Sequence, residues 1–274
     1  MIDDKEIMKK YSYLIKSLKE KKKIAIAFSG GLDSSFVAYV AKQAGIDILL
    51  LTVTSPLFSK HDEKLTKKFA EMINVPQVIL SSSLDEEVIR NDLMRCFHCK
   101  NGEAKIWISA AKEHGFSLVA DGINYDDIHD KRRPGVFASC KKGIWHPLAE
   151  MKITKKEIRV LAKKFGLPQW NQPSNACLAS RIAFGEEITK EKLFRIENAE
   201  AFLRTLSPQV RIRLHNTIAR IEVPVEYIPI ILSKRKEIVE YMKKLNFTYI
   251  TLDLLGYRSG SMHEEISGSS HVSW

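Results

Sequence analysis

The stretch KIAIAFSGGLDSS, residues 23–35, constrains the fold more than any other part of the chain. Residues 23–28 form a short apolar run bounded by turn residues, which predicts a buried parallel strand. Beyond the two glycines, apolar residues recur at helical spacing over 36–41 and predict a helix. A strand, a glycine turn and a helix N-terminus form an anion site, because backbone N–H groups and the positive end of the helix dipole point into one small volume.

The residues of this turn carry donors for a phosphate. Gly30 and Gly31 let the backbone approach an anion closely. The hydroxyl donors are Ser29, Ser34 and Ser35. Asp33 is the one acid among them, so we assign it to a Mg²⁺ that bridges it to phosphate, or to orienting the loop; a helix N-cap is the alternative. The turn is not a Walker loop, since no GxxxxGK[ST] is present.

Bulk properties indicate a soluble globular protein. The chain has 274 residues, 45% hydrophobic and 28% charged, enough for one large domain or two modest ones. It contains no run of about 18 apolar residues, and its start lacks the apolar core of a signal peptide, so we expect a cytoplasmic protein without membrane contact. The formal charge of +10 favours anionic partners such as nucleotides, phosphorylated small molecules or RNA.

Alternating strands and helices predict a doubly wound parallel sheet with a second, smaller α+β domain. We place the first domain at 1–166 and the second at 167–264, and we expect the Ser/Gly-rich tail 265–274 to be disordered. Ligands of such sheets bind beyond the carboxyl ends of the strands. The loops that carry chemistry are therefore expected at that edge.

The segment DGINYDD at 121–127 follows the fourth predicted strand. Gly122 permits close approach to a nucleotide, and Asp126 and Asp127 are candidates to help hold Mg²⁺. The cations at 131–133 are placed to neutralise leaving pyrophosphate. A solvated acidic loop is the alternative.

Four cysteines in a cytosolic chain argue against a disulfide framework. Cys96 and Cys99 form a CxxC ahead of a predicted helix, a position that lowers thiol pKa. The pair alone is compatible with a redox couple, half of a zinc site or part of an iron–sulfur site. Together with the distant Cys177, it could hold three irons of a cubane cluster and leave the fourth open, although a plain reactive cysteine is also possible. Cys140 lies outside any motif and is interpreted as a bystander.

The run VRIRLH at 210–215 alternates apolar and basic residues. Arg211, Arg213 and His215 would share one face of a strand, and a row of guanidiniums there forms a phosphate clamp. The alternative is a solvent-facing edge strand.

Taken together, the motifs resemble a known family. SGGLDSS resembles the PP-loop of ATP pyrophosphatases, which have an adenine nucleotide α-hydrolase-like fold. With CFHCK, DGINYDD, RRPG, ACLASRI, VRIRLHNTIARIEVP and TLDLLGYRSGSM, it resembles the ATP-dependent sulfur transferases that make the nickel-pincer cofactor of lactate racemase. The resemblance implies that a carboxylate of a dicarboxylated pyridinium mononucleotide is adenylated, and that sulfur then displaces AMP to give a thiocarboxylate. It also implies a homo-oligomer and a sulfur donor as partner.

The resemblance assigns roles by position. It implies an ATP loop, a second nucleotide-side group, a substrate phosphate site and a cluster site. The ATP loop is Ser29, Gly30, Gly31, Asp33, Ser34 and Ser35, and the second nucleotide-side group is Gly122, Asn124, Asp126 and Arg181. The substrate phosphate site is Arg211 and Arg213 with Glu222, and the cluster site is Cys96, Cys99 and Cys177. Cys177 and Asp33 are the predicted catalytic residues. The implied cofactors are ATP, Mg²⁺ and a [4Fe-4S] cluster with a sulfide on its open iron.

Other functions stay open at this point. Some members of the family sacrifice the sulfur of the cysteine matching Cys177 in a single turnover. A [4Fe-4S]-dependent tRNA thiolase would use the same loop, although no RNA-binding motif is visible and RNA is not the expected partner. An amide-forming PP-loop ligase would leave the thiols idle, and a non-enzymatic ATP-sensing module would leave DGINYDD and ACLASR unexplained.

Overall fold

The computed structural model describes residues 4–130, 133–172, 176–258 and 261–263. It divides the chain into two compact units, Met1–Val88 with Leu93–Asn175, and Ile89–Asp92 with Ala176–Trp274. The predicted tail 265–274 and the predicted cations Lys131 and Arg132 lie outside the described residues.

The first unit extends beyond the boundary predicted after residue 166. A 3-10 turn at Pro168–Asn171 packs on the preceding helix. The Arg159 guanidinium of that helix donates to the carbonyls of Trp170 at 2.8 Å and Gln172 at 3.0 Å. These bonds keep the segment with the first unit, and the division falls after Asn175.

A four-stranded parallel sheet in the order β3-β2-β1-β4 organises the first unit. Its strands are β1 Lys23–Ala27, β2 Asp47–Thr54, β3 Gln77–Ser81 and β4 Val119–Ala120. Its helices are α1 Asp4–Lys21, α2 Leu32–Gln43, α3 Lys60–Met72, α4 Glu86–Ile89, α5 Arg95–Glu113, α6 Tyr125–His129, α7 Pro134–Lys141, α8 Pro147–Glu150 and α9 Lys155–Lys164. The predicted α/β class with a parallel sheet is confirmed.

Helices cover both faces of this sheet, because successive strand residues point to opposite sides. In β1, Ile24 and Ile26 join a core with α1, α2 and α9. Ala25 and Ala27 belong to a second core formed with α5. Burial on both faces explains why the strand is apolar throughout instead of alternating.

The order of the strands places the ends of β1 and β4 side by side. From β1 the chain winds outward through β2 to β3, and it returns to the other side of β1 with β4. The carboxyl ends at such a reversal are where ligands bind in open α/β sheets. The glycine turn leaves β1 and DGINYDD leaves β4, so both loops lie at this point.

The second unit is a smaller α+β assembly on a three-stranded sheet, β5-β6-β7. Its strands are β5 Arg211–His215, β6 Ile218–Glu222 and β7 Tyr249–Leu252; its helices are α10 Lys190–Leu203, α11 Ile228–Ser233 and α12 Arg235–Lys244. Three 3-10 turns complete it, at Leu178–Arg181, Val225–Tyr227 and Ser261–His263. β5 and β6 form an antiparallel hairpin, and β7 runs parallel to β6.

A four-residue strip from the first half of the chain, 89–92, is part of the second unit. The buried side-chain amide of Asn91 donates to the carbonyls of Ala183 at 2.7 Å and Glu186 at 2.8 Å. The Asn91 carbonyl accepts from the N–H of Gly185 at 3.0 Å. Hydrogen bonds distant in sequence therefore fix the strip.

Two predicted loop regions fold into helices. α5 begins at Arg95 and so contains the CxxC, which was expected just ahead of the helix. Within the segment predicted as a long polar loop, the Asn124 side chain accepts from the N–H groups of Asp126 and Asp127, and the Asp127 carboxylate accepts from the N–H of Asn124. This capping box starts α6.

No helix in the described part of the chain is both long enough and apolar enough to cross a bilayer.

Candidate functional site

The glycine turn joins the end of β1 to the first turn of α2. Gly30 has φ +74°, which favours glycine, and a Cβ added there would lie 2.8 Å from a Thr66 methyl carbon. Gly31 occupies the N-cap position of α2 and has no side chain to cap it. Four other helices begin at capping side chains: Ser59, Asn124, Thr154 and Thr189. The N-terminus of α2 is thus suited to an anionic ligand.

The predicted hydroxyls belong to this turn. Ser29 Oγ and Ser34 Oγ are 3.3 Å apart, and Ser34 Oγ also donates to the Gly31 carbonyl at 3.2 Å. Ser35 Oγ is buried and has no hydrogen-bond partner among the described residues. The hydroxyls of Ser29 and Ser34 therefore lie together at the glycine turn, whereas that of Ser35 is enclosed in the protein.

Lys155, the first residue of α9, connects the glycine turn with the loop after β4. Its Nζ lies 2.7 Å from each carboxylate oxygen of Asp33, and its backbone N–H donates to Asp126 Oδ2 at 2.7 Å. The Asp33 carboxylate is therefore held by a cation, which favours its predicted role in orienting the loop. Asp126 fixes the start of α9, because its carboxylate accepts from the backbone N–H of Lys155.

Gly122 makes a close approach, but to the protein backbone. A Cβ at this position would lie 2.6 Å from the Ser34 nitrogen and 2.9 Å from the Asp33 carbonyl carbon. Because backbone atoms cannot swing aside, only glycine fits without moving α2. The residue thus packs the loop after β4 directly against the glycine turn.

The other predicted residues of this loop are engaged in local bonds. Asn124 is buried and caps α6, and Asp127 pairs with Arg133 as well as with the backbone. Asp121 accepts from His146 Nδ1 at 2.8 Å and from the Ile123 N–H at 3.0 Å. Hydrogen bonds therefore fix the orientation of the carboxylates in the loop that packs beside the glycine turn.

The CxxC thiols stand one turn apart at the start of α5. Cys96 is exposed and Cys99 is half-buried, and neither forms a disulfide. Cys99 Sγ lies 3.7 Å from Glu103 Oε1. The other carboxylate oxygen of Glu103 accepts from Lys100 Nζ at 2.6 Å. Burial by itself would lower the pKa of Lys100, but Glu103, with smaller contributions from Cys99 and Asp121, raises it above its usual value. A permanent ammonium therefore lies beside this pair.

Cys177 lies in the second unit, directly before the 3-10 turn at Leu178–Arg181. The residue is exposed and its thiol is free. Its carbonyl accepts from Ser180 Oγ at 2.8 Å and from Arg181 Nη1 at 2.8 Å. Arg181, predicted as a nucleotide-site residue, thus holds the backbone that presents the thiol. Among the described residues, no three His, Cys, Asp or Glu side chains are gathered as metal ligands.

Arg181 also binds a fully buried carboxylate. Glu200 of α10 accepts from Arg181 Nε at 2.8 Å, from Arg204 at 2.8 Å and from the Ile212 N–H at 3.1 Å. Burial would raise the pKa of Glu200, but the neighbouring arginines, led by Arg181, lower it below the ordinary value. The carboxylate therefore stays ionised and joins α10 to β5.

A second buried carboxylate, Glu222 of β6, organises the predicted phosphate residues. It accepts from Arg213 Nε at 3.0 Å, from Arg220 at 3.2 Å and from Ser261 Oγ at 2.7 Å. Arg213 also donates to the Ser180 carbonyl at 3.0 Å. Burial lowers the pKa of Arg213 even with Glu222 beside it. Glu222 thus acts as an anchor for the arginine.

Arg211 is buried with an excess of cations around it. Burial, followed by the charge of Arg181, lowers the pKa of Arg211 to about 10. Its guanidinium lies 5.6 Å from the centre of the Tyr257 ring. Arg211 and Arg213 are both buried, so neither faces solvent, whereas His215 at the strand end is partly exposed.

We define the arginine cluster as six arginines that share three carboxylates: Arg181, Arg204, Arg211, Arg213, Arg220 and Arg258 with Glu200, Glu222 and Asp253. This composition leaves an excess of positive charge in the second unit. Phosphate is the ligand that guanidinium groups recognise best.

Sequence reasoning missed Lys155 and Glu200. Thr154 and Glu157 form a capping box that marks the start of α9, but nothing in the spacing connects Lys155 with a carboxylate 122 residues away. Glu200 follows the buried Ile196 by four residues, which placed it on the apolar face of a predicted helix. That position was the available signal for a buried carboxylate.

No family model matches the chain. It is 32% identical over 263 residues to the pyridinium-3,5-bisthiocarboxylic acid mononucleotide synthase of Lactiplantibacillus plantarum, covering 94% of this chain and 95% of that protein. It is 36% identical over 248 residues, 88% of this chain and 92% of the other, to an uncharacterized protein of Synechocystis sp.. A shorter match, 31% over 120 residues, covers 41% of this chain and 38% of the tRNA-5-methyluridine(54) 2-sulfurtransferase of Pyrococcus horikoshii.

Proposed function

The chain belongs to the pyridinium-3,5-bisthiocarboxylic acid mononucleotide synthase family, and from this premise we propose that it is an ATP-dependent sulfur transferase acting on a pyridinium mononucleotide. It would adenylate a carboxylate of that substrate and replace AMP with sulfur to give a thiocarboxylate. The observation that carries the proposal is the length of the match. A match over 94% of the chain takes in the glycine turn of the first unit and the arginine cluster of the second.

The first half of the reaction is assigned to the glycine turn. The uncapped start of α2 and the hydroxyls of Ser29 and Ser34 supply donors for phosphate oxygens. The Asp33 carboxylate and the nearby hydroxyls are hard oxygen donors of the kind that suits the Mg²⁺ of a nucleoside triphosphate. Lys155 holds Asp33 in place, which keeps the turn in one conformation for the α-phosphate.

Adenylation solves a chemical problem. A carboxylate is a poor electrophile, because displacement would have to expel oxide. Attack of a carboxylate oxygen on the α-phosphorus releases pyrophosphate and leaves AMP on the carbonyl carbon as a good leaving group. A sulfur nucleophile then attacks that carbon, and AMP departs. Donors directed at the α-phosphate stabilise the charge that develops there.

The substrate phosphate is assigned to Arg211 and Arg213. Both guanidiniums are buried, and Glu222 fixes the direction of Arg213 through Nε. Arg211 remains a cation in a site with excess positive charge, and an incoming phosphate would relieve that excess. This arrangement favours a phosphorylated substrate over a neutral one.

The sulfur is assigned to three thiols. Cys96, Cys99 and Cys177 would hold a [4Fe-4S] cluster, which when bound supplies a sulfide on its open iron. The donor chemistry fits, since none of the three cysteines is in a disulfide and two of them lie one helical turn apart. The alternative is the sacrificial route, in which Cys177 gives up its own sulfur once.

The experiment separates carboxylate activation from sulfur delivery. Wild-type protein is supplied with ATP, Mg²⁺ and a dicarboxylated pyridinium mononucleotide, and carboxylate-dependent ATP–pyrophosphate exchange is measured beside thiocarboxylate formation by mass spectrometry. We expect Cys177→Ser to keep the exchange and lose the thiocarboxylate. Absence of carboxylate-dependent exchange in the wild type would overturn the proposed function.

Cys96→Ser distinguishes the two sources of sulfur. With a sulfide donor present, a cluster-dependent enzyme loses all thiocarboxylate formation in this variant. One equivalent of product per chain in the variant, with a single modified Cys177, points to the sacrificial route. Undiminished multiple turnover would remove the cluster from the proposal.

A tRNA thiolase is the second candidate, favoured by the partial match to a tRNA sulfurtransferase. It requires tRNA binding that weakens steeply with salt, because phosphate contacts release counterions. Titration of labelled tRNA at two salt concentrations decides between the candidates. Salt-dependent binding together with tRNA-dependent AMP release would replace the pyridinium substrate with tRNA.

A further inference from the structure

Cys140, which the sequence suggested was a bystander, forms a chain of contacts with a histidine and an aspartate. Its Sγ lies 3.2 Å from His146 Nε2. The other ring nitrogen of His146, Nδ1, lies 2.8 Å from Asp121 Oδ1. All three residues belong to the first unit. A thiol, an imidazole and a carboxylate in this order form the arrangement that activates nucleophiles.

The contacts decide which ring nitrogen carries the proton. A carboxylate only accepts hydrogen bonds, so His146 Nδ1 must be the donor to Asp121. In the neutral ring the lone pair then lies on Nε2, the nitrogen that faces the thiol. Asp121 is itself held by the Ile123 N–H at 3.0 Å, which fixes the ring further. His146 is therefore oriented as a base toward Cys140.

The thiol needs such a base. Partial burial of the sulfur, followed by the negative charge of Asp121, raises the pKa of Cys140. The thiol is thus protonated at neutral pH, and transfer of its proton to His146 is the route to a thiolate. Residue Cys140 is nevertheless exposed, so that a reagent in solution can reach it.

The position of Cys140 connects it with the CxxC pair. It lies on α7, which packs along α5. A Cβ on Gly135 of α7 would lie 3.1 Å from the Cys96 carbonyl oxygen, and Lys141 Nζ lies 5.8 Å from the centre of the Phe97 ring. A sulfur atom taken up at Cys140 would therefore enter the molecule beside the helix that carries Cys96.

We propose that Cys140 is the sulfur-entry nucleophile of this protein, which accepts sulfane sulfur from a thiol persulfide with His146 as its base and Asp121 as the positioning residue. The proposal rests on the proposed function for the destination of that sulfur. Cys140 Sγ attacks the outer sulfur of the donor R–S–SH as His146 Nε2 takes its proton. The donor S–S bond breaks, a new S–S bond forms at Cys140, and the departing thiolate takes the proton to leave as R–SH.

A metal site does not explain this geometry. The contacts run in a line through both nitrogens of one imidazole, whereas ligands of a metal converge on one point. The described residues contain no such convergent group of His, Cys, Asp or Glu side chains. The arrangement therefore fits proton transfer.

The first test measures thiol reactivity without ATP or substrate. Iodoacetamide is added at pH 7, and alkylation of Cys140 is followed by peptide mass spectrometry. His146→Asn keeps a side-chain donor toward Asp121 and removes the base, and it is expected to slow alkylation of Cys140 by about tenfold, since a few per cent of an ordinary thiol is ionised at this pH. His114→Asn, a histidine that contacts only the Ala110 carbonyl in the described contacts, is the matched control and should leave the rate unchanged.

Equal alkylation rates in the wild type and His146→Asn would overturn the role of the base. His146→Gln serves as a second variant if the first does not fold, with the same expected loss.

The second test follows sulfur. Wild type and Cys140→Ser are incubated with glutathione persulfide, and the mass gained by each cysteine peptide is read. We expect the mass of one sulfur atom on Cys140 in the wild type. With a thiol reductant added, which supplies the two electrons that take sulfane sulfur to the level of a thiocarboxylate, we expect slower multiple-turnover thiocarboxylate formation from persulfide in Cys140→Ser. Persulfide on other thiols alone, or full turnover without Cys140, would overturn the entry role. Carboxylate-dependent ATP–pyrophosphate exchange is measured in the same wild-type samples. Exchange without persulfide on Cys140 overturns the entry role alone, whereas absence of exchange overturns the proposed function.

Discussion

Replacing Arg211 with methionine is expected to stabilise the unliganded protein while removing its response to a phosphorylated ligand. Methionine fills a similar elongated space without the charge. In the folded chain, burial beside Arg181 lowers the pKa of the guanidinium to about 10, well below its ordinary value. A depressed pKa in a cation means that folding disfavours the charged form, so at neutral pH the charge costs stability.

The size of the effect follows from that difference. The lowering of the pKa corresponds to a cost of ~3 kcal/mol for keeping Arg211 charged in the folded state. This cost is an upper bound for the increase in the free energy of unfolding that Arg211→Met can give. For a chain of this size, each kcal/mol moves Tm by about 2–4 °C. A saturating ligand at one hundred times its Kd stabilises the wild type by about 2.7 kcal/mol, and Arg211→Met should lose most of this.

The assay is thermal unfolding with and without a pyridinium mononucleotide, beside a matched control. Arg195 is also a buried arginine of the second unit, and its guanidinium donates to two carbonyls at the end of α12, those of Leu245 at 2.9 Å and Asn246 at 2.7 Å. Arg211 donates to the carbonyl of its own neighbour, Val210, at 2.9 Å. Arg195→Met leaves those carbonyls without their donor and is expected to cost about 1–3 kcal/mol. If Arg211→Met destabilises as Arg195→Met does, or keeps the full ligand response, the assignment of Arg211 to a phosphate is wrong.

Three further predictions concern packing and charge. Gly122→Ala places a methyl group 2.6 Å from a backbone nitrogen of α2 and should weaken ATP binding by tenfold or more in a calorimetric titration, whereas Gly102→Ala, whose nearest neighbour is a side-chain atom at 3.5 Å, should not. Lys155→Met frees the Asp33 carboxylate and should lower the rate of carboxylate-dependent exchange at saturating ATP; an unchanged rate would contradict its orienting role. Folding lowers the pKa of Glu200, so the contribution of its carboxylate to stability is fully present above the ordinary pKa of 4.5 and is lost as the pH falls through the lower pKa of the folded state. Glu200→Gln should therefore flatten this part of an acid unfolding curve. At pH 7 the substitution should cost about 3–5 kcal/mol in the free energy of unfolding.

The parts of the fold that the sequence predicts are those set by local pattern. The apolar run at 23–28 predicted β1, and the alternation of strands and helices predicted the parallel sheet, because burial on both faces leaves a continuous apolar signature. The glycine turn was equally readable, since Gly30 and Gly31 have few other uses at the end of such a strand. These features depend on residues close in sequence.

What the sequence did not reveal depends on contacts distant in sequence. Gly122 was interpreted as making room for a nucleotide, but the neighbour that requires glycine is α2, and this became visible only once β1 and β4 lay side by side. Lys155 and Asp33 are 122 residues apart, and His146 and Asp121, which complete the chain of contacts from Cys140, are 25 residues apart. The periodicity of apolar residues does not predict contacts between residues so far apart in the sequence.

The strip at 89–92 has a consequence for how the molecule is made. A ribosome delivers Asn91 more than ninety residues before the two carbonyls that its amide requires. During synthesis this asparagine must stay hydrated, and it becomes buried only when the later half emerges to enclose it. A single cut between Asp92 and Ala183 therefore separates the Asn91 amide from the two carbonyls that accept its hydrogen bonds. Co-expression of both fragments, not either one alone, is the way to recover the native second unit.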